Sequence, residues 1–287
     1  MNHRSVARLV QAEATTEGAG FQINRPFPTR ALGDIDPFLL FDEMGPMDVG
    51  PGEAKGAPDH PHRGFETISY ILSGEMVHTD SHGNVGVIGG GDVQWMTAGS
   101  GVIHSEMPGE AIMREGGCMH GFQIWVNLPA SDKMTAPRYQ DVAAADIPTF
   151  ASSDGKTRVR VIAGATNGVR GAVETHTRIH YLHATLAPGA VWTHEVPAAM
   201  NAMAYTIDGS VRIERTEGRR GQLFVFGRDG DAIEVQNTGE TDADVLFLAG
   251  EPIGEPIARY GPFVMNTRDE LVQAFEDYNA GRFGVIA

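Results

Sequence analysis

From Glu66 to Asn127 polar and apolar residues alternate in short runs. Each run ends in a turn built on glycine: Ser73-Gly74, Asp80-Ser-His-Gly-Asn84, Gly89-Gly-Gly-Asp92 and Ala98-Gly-Ser-Gly101. A period of two marks a strand with one face in a core, and glycine supplies the positive φ that tight returns need. The spacing leaves no room for the crossover helices that parallel strands require, so it predicts an antiparallel barrel. The 36 glycines and 16 prolines are scattered as punctuation rather than gathered in one tract, which favours many short strands over disorder.

Two stretches carry chemistry. In Asp59-His-Pro-His-Arg-Gly-Phe-Glu66, His60 and His62 share one strand face, and in Gly99-Ser-Gly-Val-Ile-His-Ser-Glu106 so do His104 and Glu106. Laid side by side as antiparallel strands, they bring three imidazoles and one carboxylate to a point. That set suits a borderline divalent ion and leaves coordination positions open for water, oxygen or substrate. Parity along the first stretch places Ile68, Tyr70 and Leu72 with the histidines and turns Thr67 and Ser69 away. His78 and His82, on the intervening hairpin and its turn, are expected to be exposed, and His120 is expected no closer than behind the ligands.

The chain has 287 residues, enough for one large or two ordinary domains. Its net charge of −15 is shared by both halves: residues 1–145 hold 9 basic and 18 acidic side chains, and 146–287 hold 13 and 19. No basic face is available for a phosphate backbone, so direct nucleic-acid binding is not expected. The single cysteine, Cys118, excludes an intrachain disulfide and is expected to be buried. No apolar run reaches membrane-spanning length and Met1–Arg8 has no signal-type core, so a soluble cytoplasmic protein is expected.

The alternation stops after Asp132. Lys133 to Phe150, with Pro137 and Pro148, reads as an interdomain connection, which predicts domains at 1–135 and 136–287. The second half repeats the first: Ala204-Tyr-Thr-Ile-Asp-Gly209 echoes Ser69-Tyr-Ile-Leu-Ser-Gly74. Counting from the matched glycines places Glu195 and Pro197 where His60 and His62 stand, and Glu234 and Gln236 where His104 and Glu106 stand. His176, His180, His183 and His194 lack the ligand spacing, so no second metal is expected. Thr267-Arg-Asp-Glu270 is a capping box, and Leu271, Phe275 and Tyr278 follow at helical spacing, which predicts a short terminal helix docked on a barrel.

His-Pro-His-Arg-Gly-Phe-Glu, Val-Gln-Trp-Met-Thr-Ala-Gly-Ser-Gly-Val-Ile-His-Ser-Glu-Met, Gly-Phe-Gln-Ile-Trp-Val-Asn-Leu-Pro and Gly-Pro-Phe-Val-Met-Asn-Thr-Arg-Asp-Glu-Leu together resemble the pirin family. Pirins are a branch of the cupin superfamily that includes proteins acting on quercetin. The resemblance implies an all-β fold of two cupin barrels with a short C-terminal helix. It implies one metal in the N-terminal barrel, most often Fe(II), with nickel, copper, cobalt, manganese and zinc as alternatives, and none in the C-terminal barrel. Generic cupins draw their carboxylate from the first motif, where Glu66 stands, whereas pirins use the position of Glu106. The more detailed match favours Glu106.

The activity so implied is that of a flavonol 2,3-dioxygenase, with Glu106 as general base and Arg63, Phe65 and Met76 at the substrate pocket. The rival reading is an iron-binding module whose redox state alters its contact with a protein partner. A third is a cupin acting on another small molecule. The ligand set is the same in each.

Overall fold

The turn 81–84, with Gly83 at φ +86°, returns strand Met76–Asp80 as Val85–Ile88, and the same device recurs along the chain. The computed structural model describes residues 1–17 and 20–286. In the first barrel the turns build a seven-stranded sheet in the order Arg138–Val142, Val93–Thr97, Phe65–Ser73, Gly117–Asn127, Phe38–Val49, Phe21–Phe27, Glu13–Glu17. A four-stranded sheet runs Ala57–His62, Val102–Pro108, Met76–Asp80, Val85–Ile88. Phe41, Ile68, Tyr70, Trp95, Phe122 and Ile124 are fully buried, each contributing about 1.5–3 kcal/mol through apolar surface removed from water.

The second barrel repeats the plan. Its seven-stranded sheet runs Val6–Gln11, Gln222–Phe226, Asn201–Asp208, Ala243–Gly250, Ile179–Leu186, Thr157–Ala163, Thr149–Ala151. Its four-stranded sheet runs Val191–Glu195, Ala232–Asn237, Ser210–Ile213, Thr216–Arg219. Leu182, Trp192, Met200, Phe224 and Phe247 anchor its core. The fold is two cupin barrels with a short C-terminal helix. No helix among the described residues is long and apolar enough to cross a membrane.

The barrels are not cut at 135/136 as the sequence predicts. One compact unit is Ala14–Arg25, Phe38–Ala144 and Ile253–Ala287; the other is Met1–Glu13, Pro26–Pro37 and Ala145–Pro252. Edge hydrogen bonding is the reason. Val6–Gln11 pairs with Gln222–Phe226 and covers an edge of the second barrel's sheet, as Arg138–Val142 covers Val93–Thr97 in the first. The expected connection 133–150 is therefore partly structural. Lys133 is buried, its ammonium donating to Asn127 Oδ1, Gly64 O and Val264 O at 2.6, 2.7 and 3.0 Å.

Helix Arg268–Asn279 begins with the anticipated capping box between Thr267 and Glu270. It belongs to the first unit, where Ala274 packs with Phe263 and Phe283, and Asp277 accepts from Arg63 Nη1 at 2.7 Å.

Candidate metal centre

Strand Ala57–His62 pairs antiparallel with Val102–Pro108, setting His60 opposite His104 and His62 opposite Val102. The register shifts between His104 and Glu106, a bulge of the kind that re-aims a side chain beside a site. Between the two histidines of the first strand and Phe65 lies Gly64 at φ +87°, where a Cβ would collide with Val264 O. Only glycine fits there, and it breaks the strand. Ring centroids then lie 4.3 Å apart for His60 and His104, 4.7 Å for His60 and His62, and 4.9 Å for His62 and His104. One nitrogen from each of the three comes within 4.8 Å of the others; a second such group is His78, His104 and Glu106.

The main chain fixes two of the tautomers. His60 Nδ1 lies 2.7 Å from Pro58 O, and His62 Nδ1 lies 3.4 Å from Pro262 O. A carbonyl only accepts, so in each ring Nδ1 carries a proton, and the neutral form of the ring has its lone pair on Nε2. His104 Nε2 is buried with no hydrogen-bond partner among the described residues, an arrangement that costs about 1–3 kcal/mol unless something fills it. Burial, reinforced by the neighbouring imidazoles, holds His62 and His104 well below the ordinary histidine pKa, so both stay neutral, the form that binds metal. The carboxylate beside them is oriented by Ser69, whose Oγ donates to Glu106 Oε1 at 2.7 Å. Gln123 lies 3.0 Å from the same hydroxyl. Since a hydroxyl has one proton and the carboxylate is the stronger acceptor, the Gln123 amide must present its N–H to Ser69. Neutral imidazoles, an orphaned buried nitrogen and one carboxylate form a donor set that fits a divalent cation.

Of the cluster, His60, His62 and Glu106 line a cavity of about 580 Å³. Ile23, Leu40, Ile71 and Met76 supply apolar walls. Along its wall Arg25 grips Asp42 through two bonds of 2.7 and 2.6 Å, and the Arg259 guanidinium lies 4.8 Å above the Trp125 ring. Burial pushes Asp42 up to about 6 although Arg25 opposes it.

Two family profiles match, Pirin over residues 20–126 and the Pirin C-terminal cupin domain over residues 181–284. A pirin-like protein of Caulobacter vibrioides is 44% identical over 282 residues, covering 98% of this chain and 99% of its own. The chain belongs to the pirin family. Human pirin is 40% identical over 286 residues, covering 98% of this chain and 94% of its own. The crystal structure of quercetin 2,3-dioxygenase from Acinetobacter baumannii superposes with a TM-score of 0.92 at 36% identity, over 99% of this chain and 100% of that one.

Within this pirin fold several expectations need correction. Arg63 does not reach the cavity: it is buried, donates to Ser100 O and Asp277, and lies 4.6 Å over the Phe283 ring. Phe65 is fully buried behind His62, at 5.0 Å between ring centroids, packed with Leu39 and Val264. Met76 lines the cavity. Ser69 turns toward the site, because the break at Gly64 separates two sheets and parity does not carry across it. Glu66 is buried, accepts from Thr97 Oγ1 at 2.7 Å, and stands in neither ligand group. His120 pairs with Glu43 at 2.9 Å, and Cys118 is exposed. His82 is exposed, but His78 is buried at the site. The signal for His78 was present: Met76, two residues earlier on the same strand, shares its face.

Proposed function

We propose that this protein is a metal-dependent flavonol 2,3-dioxygenase acting in the cytoplasm, with His60, His62, His104 and Glu106 as the ligands. The observation that carries the reading is the donor set itself: two imidazoles with Nδ1 on main-chain carbonyls, a third, His104, shared by both ligand groups and with a buried Nε2 unpartnered among the described residues, and a carboxylate, with His60, His62 and Glu106 lining a largely apolar cavity. The similarity to the Acinetobacter quercetin 2,3-dioxygenase supports the substrate class. An ion bound there, Fe(II) on this reading, supplies Lewis acidity and a redox couple.

The remaining work falls to the chain. Glu106 accepts the proton of the flavonol 3-hydroxyl as general base, a step worth about 10²–10⁴ in rate. Ser69 and Gln123 hold that carboxylate in place. The apolar walls receive a flat aromatic substrate and exclude water, while Arg259, stacked on Trp125, brings a cation to the cavity wall.

The test is to identify the metal in the purified protein, then add quercetin and follow its absorbance with oxygen uptake and carbon monoxide release. Stoichiometric oxygen use that disappears in His104→Ala supports the enzyme. Retained metal without turnover of quercetin would turn the reading to a redox-responsive module that contacts a protein partner.

A further inference from the structure

Main-chain carbonyls set the tautomers of His60 and His62, but among the described residues no carbonyl meets His104 Nδ1. The partner there is His78 Nδ1, 3.4 Å away, on the strand that flanks Val102–Pro108 on its other side. An imidazole nitrogen can donate or accept, so this contact alone leaves the proton's position open. The far side of His78 decides it. His78 Nε2 lies 3.1 Å from the Tyr139 hydroxyl, and that hydroxyl is hydrogen-bonded to Asp80. Asp80 is a fixed acceptor: Oδ1 takes the main-chain N–H groups of His82 and Asn84 at 2.9 and 2.8 Å, and Oδ2 takes Asn84 Nδ2 at 2.8 Å. With its proton committed to Asp80, the Tyr139 oxygen accepts from His78 Nε2–H. His78 Nδ1 is then a bare acceptor, His104 must carry its proton on Nδ1, and its lone pair falls on the orphaned Nε2.

We propose that His78 is a positioning residue of the metal centre, accepting from His104 Nδ1–H and, with Tyr139 and Asp80 behind it, holding His104 Nε2 toward the ion. The proposal rests on the reading of His104 as a ligand. A partner that fixes a ligating imidazole in this way typically accounts for 10- to 100-fold in metal affinity.

Chelator competition and the visible absorption of the cobalt(II)-loaded protein test it without any turnover. Wild-type protein should bind about one cobalt per chain. His78→Leu should bind about 10–100-fold more weakly with its band positions unchanged, because the four ligands remain. His78→Asn, whose Oδ1 stands where Nδ1 stood, should recover affinity to within about threefold of wild type, a rescue that mere packing would not show. Tyr139→Phe should fall between these, since His78 then loses the partner that orients it. Equal affinity in wild type and His78→Leu would overturn the proposal, as would failure of the asparagine rescue. A shifted spectrum with loss as deep as in His104→Ala would also overturn it, by making His78 a ligand. Absence of cobalt binding in wild type would sink the metal reading itself; binding there with an indifferent His78→Leu would sink only this inference.

Discussion

The two barrels are built on one plan of seven and four strands, differing in whether the edge strand comes from the end or the start of the chain order, yet they treat histidine in opposite ways. In the first, His60 and His62 place Nδ1 against main-chain carbonyls, His104 Nδ1 lies against His78, and His104 Nε2 is buried without a partner among the described residues. In the second, His180 Nδ1 meets His194 Nε2 at 2.9 Å, and His194 Nδ1 meets Thr166 Oγ1 at 2.9 Å. That pair closes on itself, with Trp192 stacked on His194 at 5.6 Å between centroids. A duplicated scaffold thus yields a candidate ligand set or a satisfied hydrogen-bonded pair, according to where each ring finds its second partner. The expected correspondence of Glu195 with His60 also slips: the residue opposite Glu234 is Thr193, and both glutamates are exposed.

The deepest test of this contrast removes one imidazole from each barrel. His104→Ala should take metal content from about one per chain to near zero and abolish flavonol turnover, whereas His194→Ala should leave metal content unchanged by elemental analysis. Equal metal loss in both would erase the distinction. Next comes the carboxylate. Glu106→Gln should lower turnover by about 10²–10⁴ and reduce metal content far more than Glu66→Gln does, and the reverse order would reassign the ligand.

Acid should find the second barrel. Burial, then Arg178, brings His180 down to about 4; burial, then His180, brings His194 down to about 3. An unfolded chain takes up these protons near 6.5 and the folded one does not. The stability held by the neutral pair is therefore complete above pH 6.5 and is lost progressively as pH falls from there through 4 toward 3, on the order of 3–5 kcal/mol for each imidazole. Denaturant unfolding of metal-free protein followed by Trp fluorescence should show this slope in wild type and a flatter one in His180→Gln/His194→Asn. The smallest effect is expected at Ser69. Ser69→Ala removes one charge-assisted hydrogen bond to Glu106, about 1.5–3 kcal/mol, and should reduce quercetin turnover about 10–100-fold while leaving second-barrel stability untouched.

Much of this architecture can be read along the chain because strands and caps are local. The alternation after Glu66, the glycine turns and the Thr267–Glu270 box each depend on residues a few positions apart, and each forms where its pattern lies. The pairing of the two histidine-bearing strands is not local in this sense: four other strands lie between them along the chain, and what the two stretches share is their ligand chemistry. Parity failed at Gly64, where one strand ends and the next enters another sheet, so Ser69 was assigned to the wrong face. Arg63 beside the ligands looked like a pocket residue, but its side chain is spent on a helix more than two hundred residues away.

By itself, the sequence determined the all-β barrels, the terminal helix and the two strands that carry His60, His62, His104 and Glu106, because period, turn chemistry and capping act within a few residues. Only the tertiary structure decided which ring nitrogen is left without a partner, which strands close the sheet edges and which neighbours turn the carboxylate. Those outcomes depend on groups brought together from distant positions. A lone pair's direction is set by whichever acceptor lies across the fold, and no local pattern encodes that acceptor.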